Sequence, residues 1–353
     1  MSGKFLHDDA VALLRQMIAT PSVSGEEEDV CSLIAGTFEN RDIAITMTAN
    51  NIVARNRYFS PDRPTILLNS HLDTVKPNPG YTRDPFAADI AGDVLYGLGS
   101  NDAGASVVSL IAAFLHFYER TDLKYNLILA ITAQEEISGD GGLALVLPDL
   151  GPLDFAIVGE PTGMDLAIAE RGLIVLDCVA RGVSGHAARG EGVNAVYEAI
   201  PDIEWFRTFR FPKKSPLLGE VGMNVTMISA GTQHNVVPAE CRFTVDIRVT
   251  ERYTNTEIVE IVRRHVKCEV TPRSLKHKSS SIDPAHPAVQ AGMALGLKTY
   301  ASPTMSDQTK LFIPSLKMGP GQSSRSHSAD EFVLLPEIEH GIDTYIKILT
   351  ALL

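Results

Sequence analysis

Acidic and histidine side chains stand where several apolar runs of the sequence end. In open α/β sheets, ligands bind beyond the carboxyl ends of the strands. If these runs form parallel strands, the side chains that follow them converge on one edge of a sheet. The residues in such positions are His71 after the run 65–70, Asp102 just before a helical stretch, Glu135 and Glu136 after the run 127–133, Glu160 after the run 155–158, and His327 beyond the run 315–318.

So dense a set of acids needs positive charge, which metal ions can supply. Imidazole nitrogens and carboxylate oxygens, without a thiolate, suit zinc, cobalt or manganese. A bridging carboxylate could hold two metals about 3.5 Å apart, a spacing used in metal-assisted hydrolysis. His71 and Asp73 are two residues apart, so on an extended segment they point the same way. We therefore expect Asp73 to accept the second ring N–H of His71 and to fix its tautomer.

The elements that must position these residues are those of an α/β protein. Continuous apolar runs predict buried strands, and the long apolar stretch 103–118 predicts a buried helix. Strands that alternate with helices indicate a sheet covered on both faces. Ser24 and Glu27 have the spacing of a capping box, which predicts the start of a helix over the apolar positions up to Phe38.

The pattern changes after Gly172. From Glu240 to Val249, apolar and polar residues alternate completely, which is typical of a sheet with one solvated face. The predicted order of elements is β-α-β-β-α-β, the ferredoxin-like arrangement, with a capping box at Thr254 and Glu257. The α/β pattern returns after Pro272. We therefore expect the first part of a catalytic metal-binding domain at 1–171, an inserted ferredoxin-like domain at 172–272 and the rest of the catalytic domain at 273–353.

Composition excludes several classes of function. The chain has 353 residues, with 31 basic and 43 acidic side chains and a net charge of −12. That charge argues against a nucleic-acid partner, because phosphate contacts need clustered Lys and Arg. No apolar stretch is long enough to span a bilayer, and the first nine residues lack the apolar core of a signal peptide. The four cysteines have no CxxC spacing, which favours buried free thiols in a reducing cytoplasm. We therefore expect a cytoplasmic protein with no membrane partner.

Taken together, the motifs resemble the co-catalytic zinc amidohydrolase and exopeptidase family that includes glutamate carboxypeptidase, succinyl-diaminopimelate desuccinylase and acetylornithine deacetylase. The resemblance covers nearly the whole chain and is strongest to acetylornithine deacetylase and its near relatives. It implies a zinc-exopeptidase-like mixed sheet flanked by helices, with the inserted domain as lid and dimerisation domain. The motifs are His71-Leu72-Asp73-Thr74-Val75, Gly99-x-x-Asp102, Glu135-Glu136, Gly159-Glu160-Pro161-Thr162, Ser184-Gly185-His186 and the distal His327.

The resemblance also implies a role for each motif. Two zinc ions per subunit, replaceable by cobalt or manganese, would share Asp102 as a bridge, and Glu135 would be the general base. His186, reaching the site from the partner subunit of a homodimer, would stabilise the oxyanion. The remaining implied metal ligands are His71 and Glu160 for one ion and Glu136 and His327 for the other. Asp73 would orient His71, while Asn235, Arg248 and Arg325 are candidates to bind a substrate carboxylate.

The expected activity is metal-dependent removal of an acetyl or succinyl group from a small N-acyl amino acid. N2-acyl-L-ornithine in arginine biosynthesis is the leading substrate. A dipeptidase, a carboxypeptidase, a succinyl-diaminopimelate desuccinylase and an enzyme that releases an amino acid from a carrier protein remain alternatives with the same site. A non-catalytic metal-binding scaffold or a sensor of acyl amino acids is disfavoured, because the base and all five metal ligands are present.

Overall fold

The computed structural model describes residues 3–353 and divides into two units. The first unit contains the chain up to Ile168, together with Ser281–Tyr300 and Ser306–Leu353; the second contains Ala169–Ser280 and Ala301–Met305. Met1 and Ser2, which begin the segment interpreted above as lacking a signal peptide, lie outside the described residues. Within residues 3–353, none of the helices has both the length and the apolar character needed to cross a bilayer.

The first unit begins with paired helices and then builds most of a sheet. The helix at 105–117 is buried on nearly every side, as expected for a helix that is apolar all round. The helices are α1 (Gly3–Ile18), α2 (Glu28–Glu39), α3 (Ala105–Phe117) and α4 (Leu143–Leu150). The strands are β1 (Ile45–Thr48), β2 (Asn51–Arg55), β3 (Thr65–His71), β4 (Ile90–Ala91), β5 (Val94–Tyr96), β6 (Asn126–Thr132), β7 (Phe155–Val158) and β8 (Leu166–Glu170).

The second unit is an antiparallel sheet with helices. Its elements are β9 (Gly172–Arg181), β10 (Gly185–His186), α5 (Ala195–Thr208), β11 (Gly222–Ala230), β12 (Val236–Val237), β13 (Glu240–Val249), α6 (Asn255–His265) and β14 (Glu269–Pro272). Four strands pair in the order β11-β13-β9-β14, all antiparallel, and the long elements follow one another as β-α-β-β-α-β. The apolar residues of β13 are buried in alternation, and the Thr254 capping box opens α6, both as predicted.

The chain then completes the first unit. The returning elements are β15 (Ser280–Ser281), α7 (Pro287–Ala294), β16 (Thr299–Ser302), β17 (Ser315–Lys317), β18 (Phe332–Leu334) and α8 (Leu335–Leu352). The large sheet has the order β1-β2-β6-β3-β7-β17-β8-β15, with β16 also beside β8. Within it, β3 runs parallel to β6 and β7, and β17 runs parallel to β7. The predicted mixed sheet flanked by helices is therefore confirmed, and the carboxyl ends of these four strands share one edge.

One predicted helix start is wrong. Helix α2 begins at Glu28 with no side-chain cap. The Ser24 hydroxyl instead donates to the carboxylate of Asp73, and the Glu27 carboxylate accepts the Gly25 N–H and the Asn50 amide. A long-range carboxylate thus competes successfully for the serine that was expected to cap the helix. The prediction for the cysteines is confirmed, since all four are buried free thiols: Cys31, Cys178, Cys241 and Cys268.

Candidate metal centre

Three fully buried neighbouring strands bring the first set of predicted ligands together. Strand β3 ends at His71, whose side chain is 1% exposed. On one side, β6 ends just before the turn that carries Glu135 and Glu136; on the other, β7 ends two residues before Glu160. Because every residue of these strands is buried, their register is fixed by packing on both faces. The site is therefore built on strands whose register is fixed.

The carboxylate of Asp102 lies between the two predicted histidine ligands. Its Oδ1 is 3.3 Å from Nε2 of His71, and its Oδ2 is 3.7 Å from Nε2 of His327. Glu160 Oε1 lies 3.8 Å from the same nitrogen of His71, and Glu136 Oε2 lies 2.9 Å from that of His327. Each oxygen of Asp102 thus faces one histidine, and each of those histidines lies beside a further carboxylate. This is the arrangement that a bridging ligand of two cations requires.

The carboxyl groups of the cluster repel one another. Burial, with added repulsion from Asp307 and Glu136, raises the pKa of Glu135 to about 8. Burial and the charge of Glu135 raise the pKa of Glu160 well above its usual range. The hydrogen bond to Glu136 raises the pKa of His327 to about 9. Cations bound among these groups would relieve the repulsion and favour their ionised forms.

The donor set fits metal ions. Ligand atoms of His71, Asp102 and Glu136 lie within 4.8 Å of one another, and so do those of His71, Glu135 and Glu160. The Oε1 atom of Glu136 is buried and accepts no hydrogen bond from the described residues. A buried carboxylate oxygen without a donor is costly unless a cation satisfies it. Nitrogen and oxygen donors of this kind suit zinc, cobalt or manganese.

The hydrogen bonds of Asp73 follow the predicted pattern only in part. His71 Nδ1 lies 2.9 Å from the backbone carbonyl of Asp73 and 3.4 Å from its carboxylate Oδ1. The carbonyl is therefore the nearer acceptor for a proton on Nδ1, and Nε2 faces the carboxylates of Asp102 and Glu160. The Asp73 carboxylate accepts the backbone N–H groups of Glu135 and Glu136, at 3.0 and 3.2 Å, and the Ser24 hydroxyl at 2.6 Å. Asp73 thus orients the histidine with its backbone and the two glutamates with its side chain.

The sequence did not predict the role of two further residues of the site. Glu331 is 2% exposed, and its carboxylate accepts the backbone N–H groups of Gly99, Asn101 and Asp102. The side chain of Asn101 is in turn hydrogen-bonded to the backbone of Gln322. In the sequence, Glu331 is an acid before a short apolar run and Asn101 is a polar neighbour of Asp102. Neither position carries a pattern that would predict these contacts.

A buried ion pair supports the turn that carries Glu135 and was also missed. Lys310 Nζ lies 2.9 Å from Asp307 Oδ1 and donates to the carbonyl of Gly139 at 3.2 Å. The other oxygen of Asp307 accepts the Thr132 hydroxyl at the end of β6. Asp307 and Lys310 come from a loop that is remote in sequence. They therefore tie the turn after β6 to the loop before β17.

Arg325 does not have the free guanidinium that was predicted for it. It makes a bidentate ion pair with Glu337, with N–O distances of 2.7 and 3.1 Å, and it stacks over the ring of Phe332. The side chain is only 18% exposed. A largely buried guanidinium takes the carboxylate fixed nearest to it, and Glu337 is held in the first turn of α8. Arg325 therefore anchors the segment that carries His327, and its two charged hydrogen bonds are already made.

The other predicted substrate residues lie in the second unit. His186 ends β10, which pairs with β12, and the backbone carbonyl of Asn235 accepts the N–H of Ala187. His186 and Asn235 are exposed neighbours on this two-stranded ribbon. Arg248 is on the polar side of β13, where its guanidinium pairs with Asp246 at 2.9 and 3.1 Å. The ribbon therefore groups His186 with Asn235, whereas Arg248 belongs to the main sheet of this unit.

Comparison with known proteins identifies relatives along most of the chain. Succinyl-diaminopimelate desuccinylase 2 of Ruegeria sp. is 27% identical over 275 residues, which are 73% of this chain and 70% of the relative. Acetylornithine deacetylase of Yersinia pseudotuberculosis is 27% identical over 371 residues, which are 93% of this chain and 94% of the relative. These levels of identity relate the sequences without assigning a substrate to this chain.

The fold has a counterpart among solved structures. The YXEP protein of Bacillus subtilis, described as a dinuclear metal-binding peptidase of the M20 family, superposes with a TM-score of 0.73 at 18% identity. The superposition covers 99% of this chain and 98% of that one. The model of peptidase family M20/M25/M40 matches residues 67–351, a span that includes every ligand of the centre described above. The chain belongs to peptidase family M20/M25/M40.

Proposed function

We propose that this chain is a dinuclear zinc amide hydrolase that removes the acetyl or succinyl group from N2-acyl-L-ornithine, as a step in arginine biosynthesis. The observation that carries the hydrolase is the position of Asp102, with one oxygen toward His71 and the other toward His327, near the half-buried Glu135. The named deacetylase relative, which aligns along 93% of this chain, supports the choice of ornithine.

The residues of this chain divide the work. We assign His71, Asp102 and Glu160 to one zinc ion and Glu136, Asp102 and His327 to the other. When bound, the ions polarise the amide carbonyl and acidify a water molecule. Glu135, which we assign to neither ion, takes a proton from the attacking water at its carboxylate and delivers it to the leaving nitrogen. Asp73 holds the backbone of Glu135 in place for this transfer. His186 is assigned to the oxyanion as a hydrogen-bond donor.

The experiment that tests the function is a panel of amide substrates with the zinc-loaded protein. The panel holds N2-acetylornithine, N2-succinylornithine, N-succinyl-diaminopimelate and several dipeptides, and release of the free amine is measured. We expect ornithine to be released from at least one of the first two at a kcat/KM at least tenfold above all the others, and the release to stop in a chelator. Turnover of dipeptides alone would keep the metal centre and overturn the substrate.

A second candidate substrate is N-succinyl-diaminopimelate. It is favoured by the relatives named as its desuccinylases, one of which is 32% identical over 71% of this chain. The two substrates differ in the amino acid that leaves: diaminopimelate carries an additional carboxylate and ornithine does not. The same panel separates them, because a pocket built for that carboxylate loses affinity when it is absent.

We also propose that the second unit mediates a homodimer. Strand β11 is an edge of the four-stranded sheet, and Met227 and Ile228 on it are 63% and 59% exposed. Tyr197 and Ile200 of α5 are 69% and 54% exposed. An open edge strand with apolar side chains is an aggregation hazard that proteins usually cover. A second copy of the same strand would cover it by an antiparallel pairing.

Replacing Met227 and Ile228 with Lys is expected to convert the dimer into a monomer. Charged side chains on an edge strand, lysine above all, oppose its pairing with a second strand. Light scattering after size-exclusion chromatography measures the change, with Lys substitutions at Leu145 and Met293, exposed residues of the first unit, as the control. A wild-type protein that is monomeric at micromolar concentration would contradict the proposal.

A further inference from the structure

Two loops of the metal centre hold each other at two separate points. The aspartate loop is Gly99–Asp102, which ends at the proposed bridging ligand. The histidine loop is 322–331, which contains His327. Hydrogen bonds connect them through the side chain of Glu331 at one end and through the side chain of Asn101 at the other. Each loop thus supplies one buried polar side chain that binds the backbone of the other.

The carboxylate of Glu331 accepts three backbone hydrogen bonds from the aspartate loop. Its Oε1 accepts the N–H groups of Asn101 and Asp102, both at 2.9 Å, and its Oε2 accepts that of Gly99 at 3.0 Å. Gly99 has a φ of +75°, and a Cβ there would lie 2.6 Å from the Cγ2 atom of Thr74. The aspartate loop is therefore held in a backbone conformation that other residues rarely adopt, and Glu331 is the group that satisfies its amides.

The side chain of Asn101 completes the connection. It is buried, its Oδ1 accepts the N–H of Gln322 at 2.8 Å, and its Nδ2 donates to the carbonyl of Gln322 at 3.1 Å. The preceding residue, Gly321, has a φ of +85°, and a Cβ there would lie 2.3 Å from Asn101 Oδ1. The start of the histidine loop therefore packs directly against this amide. Both hydrogen bonds of the Asn101 side chain go to the backbone of Gln322, as in a pair of strands. Together they fix the position and the direction of the chain at the start of the histidine loop.

We propose that Glu331 and Asn101 are positioning residues that fix the Asp102 carboxylate relative to His327, and with it the spacing of the two metal ions. The inference rests on the proposed dinuclear centre. Glu331 lies four residues beyond His327, so one short segment carries a ligand of one ion and also holds the backbone of the bridge. A shift of either loop would move Asp102 Oδ2 away from His327, a distance that is 3.7 Å in the structure.

The test replaces Glu331 with Gln. Whichever way the new amide is turned, its NH2 group faces at least one backbone N–H, so at least one of the three hydrogen bonds is lost and replaced by repulsion. We expect the affinity for the more weakly bound zinc ion to fall by about tenfold or more, as for other groups that orient metal ligands. We also expect a changed visible spectrum of the cobalt-substituted protein, and a lower kcat with an unchanged KM.

A matched control is Glu27→Gln. Glu27 is also fully buried and accepts the Gly25 N–H at 2.6 Å and the Asn50 amide at 2.9 Å, and neither of these partners belongs to the two loops. The Glu27→Gln substitution should lower the melting temperature of the metal-free protein without changing its affinity for zinc or the spectrum of the cobalt-substituted protein. Asn101→Asp is a second variant in case Glu331→Gln folds poorly. The aspartate still offers an oxygen that accepts the N–H of Gln322. Its second oxygen replaces the NH2 donor and is repelled by the carbonyl of Gln322. This variant should therefore also bind the more weakly held zinc ion with lower affinity.

The outcomes separate this inference from the proposed function. If the wild-type protein does not bind two ions, the proposed function fails. If the wild-type protein binds two ions and the Glu331 and Asn101 variants bind them with the same affinities and the same cobalt spectrum, the dinuclear centre stands and the positioning role is overturned. A lower melting temperature without a change in metal binding would assign Glu331 to stability alone.

Discussion

Replacing Glu135 with Gln is expected to lower kcat by about 10³-fold while leaving both metal ions bound. The substitution removes the only group assigned to move the proton, and general bases contribute about 10²- to 10⁴-fold. It also removes a charge that repels its neighbours, including Glu136 and Glu160. Metal binding should therefore persist, so the loss would come from chemistry. The measurement is kcat on the best substrate of the panel, together with the metal content by mass spectrometry.

A surface glutamate provides the matched control. Glu119 is 72% exposed and forms an ion pair with Arg57. An exposed pair contributes little, so Glu119→Gln should leave both kcat and the melting temperature near the wild-type values. A Glu135→Gln protein with two bound metals and wild-type turnover would refute the proposed role of Glu135. Loss of metal together with activity would leave that role without support and would add Glu135 to the ligands.

Removing the metal ions should abolish amide hydrolysis and lower the melting temperature of the protein by a large amount. The carboxyl groups around His71 are brought together by the fold, and without cations burial and mutual repulsion destabilise their ionised forms. A ligand that binds only the folded state stabilises it by about 4 kcal/mol at a concentration 1,000 times its Kd. For a domain of this size, that corresponds to a rise in melting temperature of about 10 °C per ion.

The measurement is a thermal melt of the chelator-treated protein, with zinc titrated back and activity assayed in parallel. Asp102→Asn is the informative comparison, because it weakens the group shared by both ions and should reduce both the thermal shift and the recovered activity. Zinc that restores neither stability nor hydrolysis, in a protein that is folded without it, would contradict the assignment of this cluster as a metal centre.

The sequence predicted the parts of the centre that depend on regular elements. His71, Glu135 and Glu160 could be placed together because each follows a continuous apolar run, and such runs form neighbouring buried strands. The alternation over 240–249 likewise predicted which side of β13 is buried, and Thr254 was recognised as a helix cap from its local pattern. These signals are short in range, so a single sequence contains them.

The remaining contacts depend on loops that are far apart in the chain. Ser24 had the spacing of a helix cap but donates to Asp73, and Arg325 was expected to be free for substrate but pairs with Glu337. Glu331 acts on the backbone of Asp102, more than two hundred residues earlier in the chain. Such partners are chosen by which loops meet after folding, and neither periodicity nor spacing records that choice.

The position of β17 in the large sheet has a consequence for synthesis of the chain. This strand lies between β7 and β8, yet it begins only at Ser315, long after both. A nascent chain therefore lacks the strand between β7 and β8, and with it the strand that precedes His327, until synthesis has passed residue 317. The second unit consists of the continuous stretch Ala169–Ser280 and a short segment at 301–305. All four strands of its main sheet are complete by Pro272. The second unit can therefore fold first on the ribosome. The first unit can complete its large sheet only after β17 has been synthesised.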